Sequence, residues 1–203
     1  PLGETEKRDN GLSVKYLYTS MSKRQFIIYD LEATCWRSPK PRQVEIIEIG
    51  AVRVNEDLEI VDEFCEFILP VIHPQIDKFC TKLTSITQED VEDADHFDVV
   101  IKRFEDWMDC ASIRTALFSW GEFDHRQFVA DARHHNLKLD WLKYWACLQR
   151  HYSKYKGAKN QIGLKNALIH EGLEFNGTQH RAIADARNMA ELFIKVAKPM
   201  NIV

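Results

Sequence analysis

The chain has 203 residues, 45% of them hydrophobic, and its 27 Lys and Arg against 31 Asp and Glu give a formal net charge of −4. With only 8 Gly and 6 Pro it carries no tract poor enough in core-forming residues to act as a linker, and it is long enough to bury a sizeable core. The charge excludes a uniformly basic surface that clamps long nucleic acid without specificity, and no stretch approaches the roughly 20 apolar residues of a membrane span.

Five cysteines, Cys35, Cys65, Cys80, Cys110 and Cys147, are widely spaced and form no CxxC pair, so the sequence offers neither a disulfide framework nor a zinc site. Without the apolar core of a signal peptide at its start, the chain is expected to be intracellular and cytoplasmic, with no membrane contact. Residues 1–20 are polar and aperiodic, and Met21 stands just ahead of the first apolar run. They read as an N-terminal extension, native or added in cloning, before one domain over 21–203.

The first element is Phe26-Ile27-Ile28-Tyr29-Asp30-Leu31-Glu32, an apolar strand ending in two acids. Apolar residues on both faces mark a central strand covered on both sides. Strand side chains alternate, so Asp30 and Glu32 project from the same face roughly 7 Å apart. Like charges that close in a buried setting need a cation. After a loop with Pro39 and Pro41, two more β-rich runs, 44–55 and 59–69, flank the turn residues Asn55-Glu56-Asp57, which predicts a three-stranded antiparallel meander.

From Phe97 the apolar residues Val100, Ile101, Phe104, Trp107 and Met108 recur at helical spacing. A strand over 114–120 and a helix over 124–136 follow, and the strand-helix-strand order implies a right-handed crossover with parallel pairing to the first strand. A short helix over 162–170 ends near Gly172, and 173–175 is a candidate for one more strand. The last helix, about 181–197, stops before Pro199. The expected architecture is α/β with a five- or six-stranded mixed sheet flanked by helices.

In the last helix the apolar stripe Met189, Leu192, Phe193, Val196 extends back to Asp185, a carboxylate on a core-facing position that needs an interior partner. His180 stands five residues earlier, after Gly177, whose freedom would let the imidazole swing toward an attacking water. Asp124, in Trp120-Gly121-Glu122-Phe123-Asp124, follows a strand and opens a helix, where an Asp can also serve as a simple N-cap. All these acids lie at strand ends or helix starts, where ligand sites of α/β folds gather. Between Lys138 and Lys165, seven basic residues and the aromatics Trp141, Tyr144, Trp145, Tyr152 and Tyr155 stand against the single acid Asp140, a mixture suited either to single-stranded nucleic acid or to a solvated loop over the core.

The run Asp30-Leu31-Glu32-Ala33-Thr34-Cys35-Trp36, Asp124 after Trp-Gly-Glu-Phe, and His180-Arg181-Ala182-Ile183-Ala184-Asp185 resemble the three motifs of the DEDDh (DnaQ-like) 3′–5′ exonucleases. The further string from Phe79 to Gln88 resembles the ERI-1 and KapD-like branch, and the likeness extends over about residues 24–197. The resemblance implies a ribonuclease H-like fold, with Asp30, Glu32, Asp124 and Asp185 holding two Mg²⁺ or Mn²⁺ ions and His180 as general base. It implies a terminal-base pocket from Ala33, Thr34, Trp36, Leu83, Ile86, Trp120 and Phe123. The expected substrates are single-stranded RNA or DNA 3′ ends, RNA being favoured, with release of nucleoside 5′-monophosphates. The rivals are a DNA-directed proofreading exonuclease and a nonenzymatic nucleic-acid-binding adaptor; an adaptor would be expected to have lost at least one of the five acid and histidine positions, and all are present.

Overall fold

A computed structural model describes residues 24–38, 43–110 and 113–202. The N-terminal extension and the Pro39/Pro41 loop fall outside the described residues. Strand β1 (Arg24–Ala33) runs through the middle of a five-stranded sheet of order β3-β2-β1-β4-β5. It pairs antiparallel with β2 (Ile46–Asn55), which pairs antiparallel with β3 (Ile60–Phe67), and parallel with β4 (Arg114–Ser119). The meander and the parallel crossover are thus as the sequence order implies. The short edge strand β5 (Trp145–Cys147) pairs parallel with β4 and was not expected from sequence.

Alternation along β1 divides the interior in two. Ile27, Tyr29 and Leu31 face a cluster with α3 (Phe97–Met108) and α4 (Phe123–His134), whose contributions include Phe104 and Phe128. Phe26 and Ile28 face the opposite cluster, formed with α5 (Leu148–Tyr155), α6 (Leu164–His170) and α7 (Ala182–Val196). Each large side chain so buried contributes about 1.5–3 kcal/mol from water exclusion. β1 is therefore held from both faces and paired along both edges, and the acids at its end inherit that rigidity.

Two helices absent from the sequence expectation, α1 (Lys78–Thr84) and α2 (Gln88–Glu92), cover the end of β2. Asp77 caps α1 by accepting the Phe79 N–H, and Thr87 and Asp90 form a reciprocal capping box on α2. They enclose a third small cluster of Ile47, Cys80, Ile86 and Val91. The register slips between Glu32 and Ala33, which face Glu48 and Ile46, so Ile47 is the extra residue of a bulge beside the paired acids.

The sequence expectation needs correction at residues 173–175, which form no strand. Leu173 and Phe175 pack against the second cluster, the Leu173 N–H donates to the Leu168 carbonyl, and the Asn176 N–H donates to Asn188. Apolar alternation here reflects burial under α7 without a ladder partner. No helix among the described residues is long and apolar enough to cross a membrane.

Candidate active site

Asp30 and Glu32 leave the same face of β1 where the strand emerges from the core, and both are partly exposed. Asp185 reaches them from the first turn of α7, and one ligand oxygen from each of the three lies within 4.8 Å of the others. Asp124 stands outside that trio. It is the second residue of α4, buried, with Glu122 at the N-cap position, so its carboxylate is turned inward and does not cap the helix.

The electrostatics follow from burial and crowding. Burial, then Asp124, Asp185 and Glu32, hold the Asp30 carboxyl well above the usual carboxylate range. Burial, then Asp185 and Glu48, push Glu32 up to about 8. Asp124 is raised to about 7 by burial, opposed by hydrogen bonds from backbone and Ser119, and Asp185 is raised chiefly by burial. Four acids that each resist ionisation beside one another require protons or a cation. An all-oxygen donor set suits a hard divalent ion such as Mg²⁺ or Mn²⁺, and these residues fit one.

Two residues that sequence reasoning missed bring Asp185 to β1. Gly50 faces Asp30 across the β1–β2 ladder, and a Cβ built on it would overlap the backbone of Ala182 and Ile183. Only a glycine lets the start of α7 approach the sheet this closely. Glu48, fully buried on the same strand, accepts the Ala182 N–H at 2.9 Å and receives the Arg181 guanidinium at 3.0–3.3 Å. It satisfies the first amide of the helix, opposite Glu32 in the β1–β2 ladder. A glycine and a buried acid inside a largely apolar strand were the available signals.

His180 is exposed, adopts φ 60°, and donates its backbone N–H to Asp185 Oδ2 at 3.0 Å. Its imidazole is not part of the carboxylate trio. The preceding loop passes through Gly177 at φ 94°, and Asn188 of α7 bonds both the N–H and the carbonyl of Asn176, tying the loop's base to the helix.

A cavity of about 480 Å³ opens beside Glu32 and is lined by Ala33, Thr34, Trp36, Leu83 and Phe123 of the expected pocket residues. Phe123 and Leu83 are exposed large apolar groups, whereas Thr34 is buried and exchanges hydrogen bonds with Glu45. Trp36 stands edge-on to His73, 4.8 Å between ring centroids. Phe79, Val44 and Arg37 also line the cavity and were not singled out from sequence. Ile86 and Trp120 do not line it. Ile86 is fully enclosed beneath α1 and α2, because the left-handed turn at Ser85 reverses the chain after Leu83. Trp120 packs in the second cluster, 5.9 Å from the Tyr152 ring.

Comparison with known proteins agrees with this geometry. The exonuclease family model RNase_T matches residues 27–193. The human 3′-5′ exoribonuclease 1 is 33% identical over 182 residues, covering 83% of this chain and 51% of that protein. ERI1 exoribonuclease 2 of Danio rerio is 31% identical over 198 residues, covering 86% of this chain and 36% of that protein. The chain therefore spans about half the length, or less, of these curated relatives. The crystal structure of the nuclease domain of 3′hExo, a DEDDh family member, bound to rAMP superposes with a TM-score of 0.82 at 30% identity, covering 88% of this chain and 94% of that one. A 3′-exonuclease structure showing 3′-end-specific recognition of histone mRNA stem-loop also gives 0.82, at 27% identity, covering 94% and 71%. The chain belongs to the DEDDh 3′–5′ exonuclease family, on its ERI1-like branch.

Proposed function

We propose that this chain is a divalent-metal-dependent 3′–5′ exoribonuclease that removes nucleoside 5′-monophosphates one at a time from single-stranded 3′ ends. The observation that carries the reading is the convergence of Asp30, Glu32 and Asp185 within 4.8 Å, with Glu32 also lining the 480 Å³ cavity. Asp30, Glu32, Asp124 and Asp185 would hold two Mg²⁺ or Mn²⁺ ions. Bound there, such ions acidify water, neutralise phosphate charge and stabilise the leaving oxygen.

The chain's own groups supply the rest. The cavity takes the terminal nucleoside, whose base lies against Phe123 and Leu83, a sequence-tolerant apolar contact. His180, as general base, accepts the proton of the attacking water on its imidazole. Water oxygen bonds to phosphorus, the bond from phosphorus to the upstream 3′ oxygen breaks, and that oxygen becomes the new 3′ hydroxyl.

RNA is favoured because the similar proteins are named exoribonucleases and one of the similar structures holds rAMP. The test is digestion of 5′-labelled single-stranded RNA and DNA of the same sequence with Mg²⁺, Mn²⁺ or EDTA. A ladder shortening from the 3′ end, faster on RNA and abolished by EDTA, is expected. Faster DNA digestion would move the assignment to a deoxyribonuclease, and digestion that survives EDTA would overturn the metal mechanism.

A further inference from the structure

We infer that a basic groove along α4 carries the nucleotides upstream of the scissile phosphate, so that the substrate runs from the base pocket, past the carboxylates, onto this surface. The inference rests on the exonuclease reading and extends it to the body of the substrate. The groove is a depression of about 710 Å³ along α4 and the segment 136–143, and its lining includes His125, Arg133, Lys138 and Lys143 but no acid. Lys138 is paired with Asp140 at 3.0 Å, whereas Arg133 and Lys143 are exposed and have no ion-pair partner among the described residues. In a chain of net charge −4, a local excess of unneutralised cations is the feature a polyanion would select.

The first turn of α4 orders the site. Phe123 lines the base pocket, Asp124 is turned inward toward the acids of β1, and His125 lines the groove. Side chains two apart on a helix point about 200° apart, so pocket and groove open on opposite sides of the first turn of α4, which carries Asp124 between Phe123 and His125. That is the sequence a strand needs: terminal nucleoside, scissile phosphate, upstream nucleotides. His125, Val129 and Arg133 recur every four residues on one face of α4, extending the groove about 12 Å from the site.

Aromatic surface accompanies the charge. The His125 ring stacks on Trp145 with centroids 4.2 Å apart and an interplanar angle of 16°, while its Nδ1 is buried without a hydrogen-bond partner. Lys143 Nζ lies 4.9 Å over the ring of Tyr144, which is 47% exposed. Phosphate attraction joined to exposed rings is how single strands are held without reading sequence. The basic, aromatic stretch in the sequence is thereby sorted: Trp141 and Tyr152 are core, and Lys138 and Lys143 line the groove, with Tyr144 beside Lys143.

The test compares the wild-type chain with the double variant Arg133→Glu, Lys143→Glu. The first readout is the ratio of kcat/KM on a 15-nucleotide single-stranded RNA to that on a dinucleotide. The second is the salt dependence of 15-mer binding by fluorescence anisotropy in Ca²⁺. Losing two phosphate contacts should lower the long-to-short ratio about tenfold and flatten the slope of log K against log salt by about 1.4. An unchanged slope and ratio would overturn the groove. A wild-type chain that cleaves neither RNA would overturn the exonuclease reading instead, and the anisotropy slopes would still decide the groove.

Discussion

At the scale of single residues, the site is governed by how poorly its acids tolerate their own charge. Glu32 is held up to about 8 and Asp124 to about 7, first by burial, with Asp30 higher than its ordinary range for the same reason. A carboxyl whose folded-state pKa is raised stabilises the fold fully below its unfolded pKa, near 4.3, and loses that contribution as pH climbs through the folded value. The metal-free chain should therefore lose stability between about pH 5 and 8. A divalent ion must displace those protons, so its binding tightens over the same window. Thermal melts should show a rise in Tm with Mn²⁺ over EDTA that is larger at pH 8 than at pH 6; an equal rise at both would contradict the account.

The same scale separates binding from proton transfer. His180 touches the trio only through its backbone N–H, so His180→Ala should leave Mn²⁺ affinity near wild type. Its kcat should fall about 10²- to 10⁴-fold, the usual worth of a general base. Asp30→Asn removes a ligand at the centre of the cluster and should weaken Mn²⁺ binding itself. Calorimetric titration of both variants checks the split, and equal metal affinities in the two would refute it.

At the scale of elements, the decisive contact is β2 against α7. Gly50 leaves room for the Ala182–Ile183 backbone, and Glu48 bonds the first amide of the helix, so Asp185 is delivered to Asp30 and Glu32 by two residues that are not themselves ligands. Gly50→Ala should push α7 away from the sheet. A displacement of about 1 Å at a catalytic group can cost on the order of 100-fold in rate. The expected variant folds, melts lower and hydrolyses RNA at least that much more slowly; wild-type rates in a folded Gly50→Ala chain would show that the close approach does not matter.

This contact also marks what a sequence can show. That Asp30, Glu32 and Asp185 come together was legible because strand period, helical stripe and motif spacing are local properties. Gly50 and Glu48 act on a helix more than 130 positions away, and nothing local says which backbone a strand glycine must admit. Leu173 and Phe175 misled in the opposite direction, since their alternation reports burial and cannot reveal that no strand lies alongside. Ile86 carries an apolar side chain suited to a base pocket, yet the left-handed Ser85 turn sends it inward.

At the scale of the molecule, the sheet is a rigid partition with the reactive groups along one end. Helices α3 and α4 on one face and α5, α6 and α7 on the other hold β1 fixed, while α4 and α7 bring Asp124 and Asp185 to it from opposite faces. Each carboxylate therefore belongs to an element anchored in the core, which suits a site that must hold like charges together before an ion arrives.

The most direct test of the central claim is anomalous diffraction from Mn²⁺-soaked crystals containing a nucleoside 5′-monophosphate. The account expects a peak enclosed by the carboxylates of Asp30, Glu32 and Asp185, a second contacting the Asp124 side, and the nucleoside in the cavity beside Phe123. Manganese absent from this cluster in crystals of an active chain would contradict it.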